Sequence, residues 1–241
     1  MPDVTAASAP SAEVRIVLRR RAIVISLAAI IAALTVLSLA GQISKFYFGH
    51  PTVFGLVPFL YLDLESNLPT WFQSVNLLFA TLLLAAIGVA ARRKGEPFAV
   101  HWLILAGIVL FLSLDEMAMI HERAIEPIQR ITGRPEGMWA PTWIFVALAL
   151  VAVVGLFFLR FFLHLRPHMR LRLAAAAVLF VLGSVALEMV AAAAGGDEET
   201  FTYVLLSHAE EVLEMVAVVV LIDALLRQLQ DRTRVQLAVA G

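Results

Sequence analysis

The chain contains no cysteine. That excludes disulfides, thiolate zinc sites, iron–sulfur clusters and a thiol nucleophile. Charge is scarce as well: Asp, Glu, Lys and Arg make up 15% of the residues against 61% hydrophobic, where a soluble domain is about a quarter charged. A disordered chain and an ordinary cytosolic enzyme are thereby excluded. The net charge of −1 offers no basic field for nucleic acid and no whole-molecule field that selects a partner. The prolines all fall outside the cores of the long apolar runs, as they must where helix backbones satisfy their own hydrogen bonds in lipid. What is present is apolar surface, with a mean hydropathy of +0.89 over 241 residues. This is the composition of an integral membrane protein.

A transmembrane helix takes about 20 mostly apolar residues. Six runs qualify, at 22–40, 71–91, 98–120, 141–163, 173–194 and 201–226. The sequence therefore predicts an all-α, polytopic transmembrane helical bundle of six spans. Residues 22–226 form its transmembrane domain, 1–21 a disordered and basic cytoplasmic segment, and 227–241 a cytoplasmic tail. No further domain boundary is visible. Arg15, Arg19, Arg20 and Arg21 precede the first span, and Arg92, Arg93 and Lys94 follow the second. Arg160, Arg166, Arg170 and Arg172 cluster at the end of the fourth, and Arg227, Arg232 and Arg234 follow the sixth. These are 14 of the 18 Lys and Arg residues, so the positive-inside rule places both termini in the cytoplasm.

The first run has a basic leader, and Ser38-Leu39-Ala40 loosely fits a signal cleavage site. Its apolar stretch is longer than a signal h-region, so it is read as an uncleaved span. Residues 41–70 hold Phe46, Tyr47, Phe48, Phe54, Phe59 and Tyr61, side chains that favour the membrane interface. This loop is expected on the outer membrane surface. Residues 121–140 are expected to continue the third helix along the interface, with Ile125, Ile128 and Ile131 on one side.

Ionisable residues inside a span cost about 2.5–3.5 kcal/mol each at the bilayer centre on insertion scales, which makes them functional hypotheses by default. The third span ends Ser113-Leu114-Asp115-Glu116, followed shortly by His121-Glu122. The fifth carries Glu188 with Ser184 one turn earlier, and the sixth opens Ser207-His208-Ala209-Glu210-Glu211-Val212-Leu213-Glu214. Counting the helical rise, Asp115, Glu188 and His208 each lie roughly 10 Å below the outer boundary. Separate helices thus carry charge to one depth. On a helical wheel, Ser207, His208, Glu210, Glu211 and Glu214 share an arc of roughly 160°. Asp115, Met119 and Glu122 share a stripe, with Glu116 at its flank. His121 lies about 100° from Glu122 and joins them only if the helix end unwinds or tilts.

Close carboxylates in a low-dielectric site cannot all ionise unaided. Either several hold protons or metal cations sit among them. Asp115, Glu116, Glu188, His208, Glu211 and Glu214 are the candidate ligands of one or two divalent metals, with iron, manganese or zinc suited to oxygen-rich sites that include imidazole. His121, Glu122, Glu210, Ser184 and Ser207 are additional candidates, the two serines as supports for the ligands. Helical bundles build di-iron sites from acids and Glu-x-x-His pairs, and His208-x-x-Glu211 reverses that order. Plainer roles are available elsewhere. Glu210 can face the headgroups, and Asp223 can pair with Arg227 four residues on. His101 reads as a packed interfacial residue, His164 and His168 as parts of a basic loop, and Met117, Met119 and Met215 as core filler. The small-residue stretches 174–177 and 191–196 read as close-packing surfaces.

The leading functional reading is a metal-dependent membrane enzyme, open to the outer face and acting on a lipid or other hydrophobic small molecule. Iron there implies oxidation of a lipid or quinone-like substrate, and zinc implies hydrolysis through a bound water of lowered pKa. The alternatives are a proton- or cation-coupled transporter using the same acids and a structural or assembly protein whose protonated acids hydrogen-bond the bundle. Transporters often show inverted repeats and broken helices, whereas these spans lack internal proline and an inverted repeat would put the acids of the sixth span at its inner end. The strings Leu114-Asp115-Glu116 with His121-Glu122, and Glu210-Glu211-Val212-Leu213-Glu214-Met215, resemble a loose group of uncharacterised bacterial multi-pass membrane proteins. The resemblance covers about half the chain. It implies a multi-pass protein of the bacterial inner (cytoplasmic) membrane, and no activity.

Overall fold

Long apolar runs become helices whose ends are set by local capping chemistry. The computed structural model describes residues 18–133, 135–195 and 200–239, with side chains through Arg232. The expected disordered tail, Arg15, Arg134, Gly196 and the side chain of Arg234 lie outside these described residues. Helix α1 (Arg20–Phe48) stops at Gly49, whose left-handed φ of 69° lets its N–H return to the Ser44 carbonyl. After the short α2 (Leu56–Leu60), α3 (Leu68–Arg93) starts on Asn67, whose side chain accepts the Thr70 N–H at 3.2 Å. Pro69 occupies its first turn, where the missing N–H costs nothing. Then come α4 (Ala99–Ala118), α5 (Ile120–Thr132) and α6 (Trp143–His164). Helix α7 (Pro167–Val181) passes through a π-helical turn (Leu182–Leu187) into α8 (Glu188–Ala193). Helix α9 (Phe201–Val239) closes the chain. No strand occurs among the described residues.

Among the described residues, five helices are long and apolar enough to cross a membrane: α1, α3, α4, α6 and the continuous α7–α8. The sixth expected span falls on α9, which carries Glu210, Glu211, Glu214 and Asp223 within its apolar stretch. That charge keeps it outside the group defined by length and composition.

Helix α3 is central, with 56% of its apolar window buried against 11–22% for the other four. Its Leu77, Ala80, Leu84 and Ile87 share one core with Trp102, Ala106 and Val109 of α4 and with Val218, Ile222 and Leu225 of α9. In lipid such burial gains packing rather than transfer free energy, so close fit matters. A smaller cluster joins Ile31 and Leu34 of α1 to Leu62, Met215 and Val219, with Phe72 and Val212 against it. Residue numbers rise together across these contacts, so α3 and α9 run side by side in the same direction. Two glycines allow close approaches. A Cβ at Gly88 would sit 2.7 Å from Leu103 Cδ2, and one at Gly183 would sit 2.8 Å from Glu214 Cγ and 3.0 Å from the Glu210 carbonyl oxygen.

The end of the bundle rich in arginine is tied through α9. Asp223 is held by Arg20 of α1 and Arg172 of α7, which corrects the expected local pair with Arg227. Tertiary partners reach it because it lies on the inward-facing side of α9. Arg232 grips Glu96 through both terminal nitrogens, at 2.8 and 3.1 Å. His101 stacks on Phe157 and Phe161, with ring centroids 5.1 and 5.6 Å away.

Candidate functional site

At the opposite end the third span does not continue as one helix. Met119 takes the left-handed conformation, φ 52° and ψ 43°, and separates α4 from α5. A non-glycine residue there is strained and persists only where its surroundings fix it. The fixing contacts come from Asp115. Its Oδ1 accepts the backbone N–H of His121 at 2.9 Å, and its Oδ2 lies 2.9 Å from His121 Nδ1. The break therefore supplies the unwinding that His121 needs to join the acids. In the neutral ring, with Nδ1 donating to the carboxylate, Nε2 keeps the lone pair. Burial opposes charge on His121, but the Asp115 hydrogen bond and the Asp115, Glu122 and Glu188 carboxylates outweigh it and raise the imidazole pKa.

The loop before α3 brings the next residue. Leu62 is 2% exposed, and its N–H donates to Ser38 Oγ at 3.1 Å. Asn67 Nδ2 donates to the Tyr61 carbonyl at 2.6 Å, and Thr70 Oγ1 to the Leu64 carbonyl at 3.4 Å. Residues 61–67 thus fold inward instead of lying flat on the membrane surface, although Tyr47, Phe48, Phe54 and Phe59 are exposed as expected. Fixed in this way, Glu65 meets His121 and Glu122, and one ligand atom from each lies within 4.8 Å of the others. Glu65 Oε2 is buried without a hydrogen-bond partner. Burial first, then the Glu122 carboxylate, raises the Glu65 pKa to about 7. Sequence reasoning missed Glu65 because it read this loop by its aromatics. The available signal was an acidic pair, Asp63 and Glu65, placed just before the Asn67 and Pro69 helix start.

Glu188 follows the π-helical turn, a device that re-aims side chains and recurs at functional sites. The indole Nε1 of Trp143 donates to Glu188 Oε1 at 2.9 Å, and the same indole lies 5.0 Å from the His121 ring. Trp143, which the sequence did not single out, therefore bridges the two. Deeper along the bundle, Glu116 of α4 faces Glu211 and Glu214 of α9 as electrostatic neighbours, with Glu210 and Glu188 also in range. These acids of separate helices lie within electrostatic range of one another.

Three sequence candidates sit elsewhere. His208 is 4% exposed, its Nδ1 lies 2.6 Å from the Val204 carbonyl, and its Nε2 lies 2.8 Å from Ser38 Oγ. Both ring nitrogens are engaged, because His208 faces α1 and the loop rather than the acids. His121 takes the place expected of it as the base among the carboxylates. Ser184 Oγ donates to the Phe180 carbonyl at 2.9 Å and Ser207 Oγ to the Val204 carbonyl at 3.2 Å. Each hydroxyl bonds its own helix, so neither supports a ligand.

No curated protein and no solved structure gives a significant match to the chain. One family model does match, over residues 23–229, which takes in every helix that contributes to the cluster. On that span the chain belongs to the family described as a domain of unknown function, DUF8692.

Proposed function

We propose that the chain binds a divalent metal through Glu65, His121 Nε2 and Glu122 and acts as a metal-dependent membrane enzyme on a lipid or other hydrophobic substrate. In this reading α9 is the sixth span, both termini lie in the cytoplasm of a bacterial cell, and the acidic end faces outward across the inner membrane. The basic residues concentrated at the other end support that orientation. The observation that carries the proposal is the meeting of one ligand atom from each of Glu65, His121 and Glu122 within 4.8 Å, together with the anchoring of the His121 Nδ1 by Asp115. A carboxylate bonded to the far ring nitrogen is the usual support of a metal-binding histidine. Asp115 thereby moves from candidate ligand to positioning residue. One imidazole with carboxylates suits zinc, iron or manganese.

Such an ion supplies a bound water of lowered pKa or polarises a substrate oxygen. The chain supplies the rest. Trp143 holds Glu188 at Oε1, leaving Oε2 to hold or move a proton beside His121. The same end exposes Phe54, Trp71 and Trp139, aromatic surface suited to a substrate arriving from the membrane. Metal analysis of the purified protein tests the proposal. Stoichiometric zinc, iron or manganese should be lost in Glu65→Gln and His121→Ala and kept in His208→Ala. Metal-free protein that takes up a substrate under a pH gradient in proteoliposomes would instead establish transport.

A further inference from the structure

Helix α6 is held to α4 at its two ends. At the arginine-rich end His101 of α4 packs on Phe157, Phe158 and Phe161, with ring centroids 5.1, 5.7 and 5.6 Å away. Trp102 meets Phe161 at 4.9 Å. At the acidic end the Trp143 ring lies 5.0 Å from that of His121, which Asp115 ties to the end of α4. Between these contacts the helix is bare. From Phe145 to Val153 every residue except Ala147 is exposed, Leu150 at 55% and Val151 at 44%. A helix packed along a neighbour buries a stripe at i, i+3 and i+4. This stretch of more than two turns buries none.

The two facing stripes follow from these contacts. At helical spacing, Trp143, Ala147, Val154, Phe158 and Phe161 share one side of α6, with Leu150 and Val151 at its flanks. His101, Leu105, Ile108, Leu112 and Asp115 share one side of α4, and the three aliphatic members are only partly buried against the core. A slot therefore runs between α4 and α6 past Ile108, Leu112 and Ala147. Aromatic rings close it at one end, and it opens at the other beside Asp115 and His121. Its length is about 20 Å, counting the rise from Trp143 to Phe158. Helices pinned at both ends bow apart only gently over such a length. A third helix, about 10 Å across, does not fit between them. A hydrocarbon chain, about 4 Å across, does.

We propose that this slot holds one hydrocarbon chain of a membrane lipid, and that the lipid is the substrate, its polar head at the Glu65, His121 and Glu122 group. Between its two ends the slot has apolar walls, which match a chain and offer a polar group nothing. An unfilled gap there would forfeit dispersion contacts on both helices. Polar partners stand only at the acidic end, and they fix the direction of the lipid: head toward His121, tail toward His101. Selection then falls on chain length, measured by the distance from the polar group to the aromatic stop. The identity of the lipid as substrate rests on Glu65, His121 and Glu122 holding metal; the slot rests on α4 and α6 alone.

The test uses the full chain in detergent, titrated with phosphatidylcholine carrying a nitroxide on one chain. Electron paramagnetic resonance separates a chain held between helices from one tumbling in the micelle. A saturable immobilised component is expected, displaced by unlabelled lipid. Ala147→Phe should weaken it by about tenfold or more, since a packed gap leaves no volume for methylenes. Ala149→Phe, on the opposite side of the same turn, should leave it unchanged. If Ala147→Phe does not fold, Ala147→Leu carries the same test. No saturable component, or equal loss in the two phenylalanine variants, overturns the slot. With Mn²⁺ bound, a nitroxide near the head should lose more signal than one near the tail, and the reverse order overturns the direction. Metal content is read on the same samples. An immobilised chain in metal-free protein supports the slot and overturns the enzyme, and bound metal without an immobilised chain does the reverse.

Discussion

Replacing Asp115 by asparagine separates orientation of His121 from its mere presence. Both Asp115 oxygens accept from His121, each at 2.9 Å. Asparagine keeps the shape but only one oxygen. If that oxygen retains the backbone N–H, the amide NH₂ faces Nδ1 and can only donate. The lone pair must then sit on Nδ1 and the ring proton on Nε2, so the nitrogen that should hold the ion is blocked. Loss of such a supporting partner costs about 10–100-fold in metal affinity, equal to about 1.4–2.8 kcal/mol. Equilibrium dialysis against Mn²⁺ or Zn²⁺ reads the change directly. The control is Glu126→Gln on α5, a carboxylate that pairs with Arg130 on the exposed face of the helix. Asp115→Asn should lose affinity within that range and Glu126→Gln should lose none. An Asp115→Asn affinity within about twofold of the native protein would refute the orienting role.

Gly183→Ala places a methyl group 3.0 Å from the Glu210 carbonyl oxygen, a backbone atom that cannot step aside. Overpacking of about 1–3 kcal/mol exceeds the gain of about 1 kcal/mol in helix propensity, so denaturation in detergent should show a net loss of stability. Stability equal to the native protein would contradict the close approach. Glu65 gives a pH prediction. Its pKa in the folded chain is raised from 4.5 to about 7, so the folded state holds this proton more tightly than the unfolded state does. The stability it contributes is fully present below about pH 4.5 and lost as pH rises through about 7. In metal-free protein Glu65→Gln should flatten that part of the profile, and an unchanged profile would count against the burial of this carboxyl. Asp223→Ala leaves Arg20 and Arg172 facing one another across a partly buried gap. A loss of about 1–3 kcal/mol is expected, and Arg172→Met in the same background should restore part of it.

The helices and the convergence of their acids could be read from the sequence because both follow from periodicity. Apolar runs of sufficient length must be helical in lipid, and the common depth of Asp115, Glu188 and His208 follows from counting residues. The histidine assignment could not be read in that way. His208 and the acids share a wheel arc, yet Ser38 and the Leu62 loop claim its face of α9, and no local pattern announces that contact. His121 lay on the wrong side of a continuous helix, and it reaches Asp115 only because Met119 turns left-handed without a glycine to mark the place. Glu65 and Trp143 enter from a loop and a helix start, where side-chain direction depends on tertiary bonds such as Asn67 to Tyr61. Asp223 shows the same limit in miniature: spacing offered Arg227, and the fold supplied Arg20 and Arg172.

The most direct measurement is pulsed electron paramagnetic resonance of Mn²⁺ bound to the protein, which detects a nitrogen nucleus coordinated to the ion. A single histidine nitrogen coupling is predicted in the native chain, retained in His208→Ala and absent in His121→Ala. A coupling that survives His121→Ala, or that disappears with His208→Ala, would contradict the site.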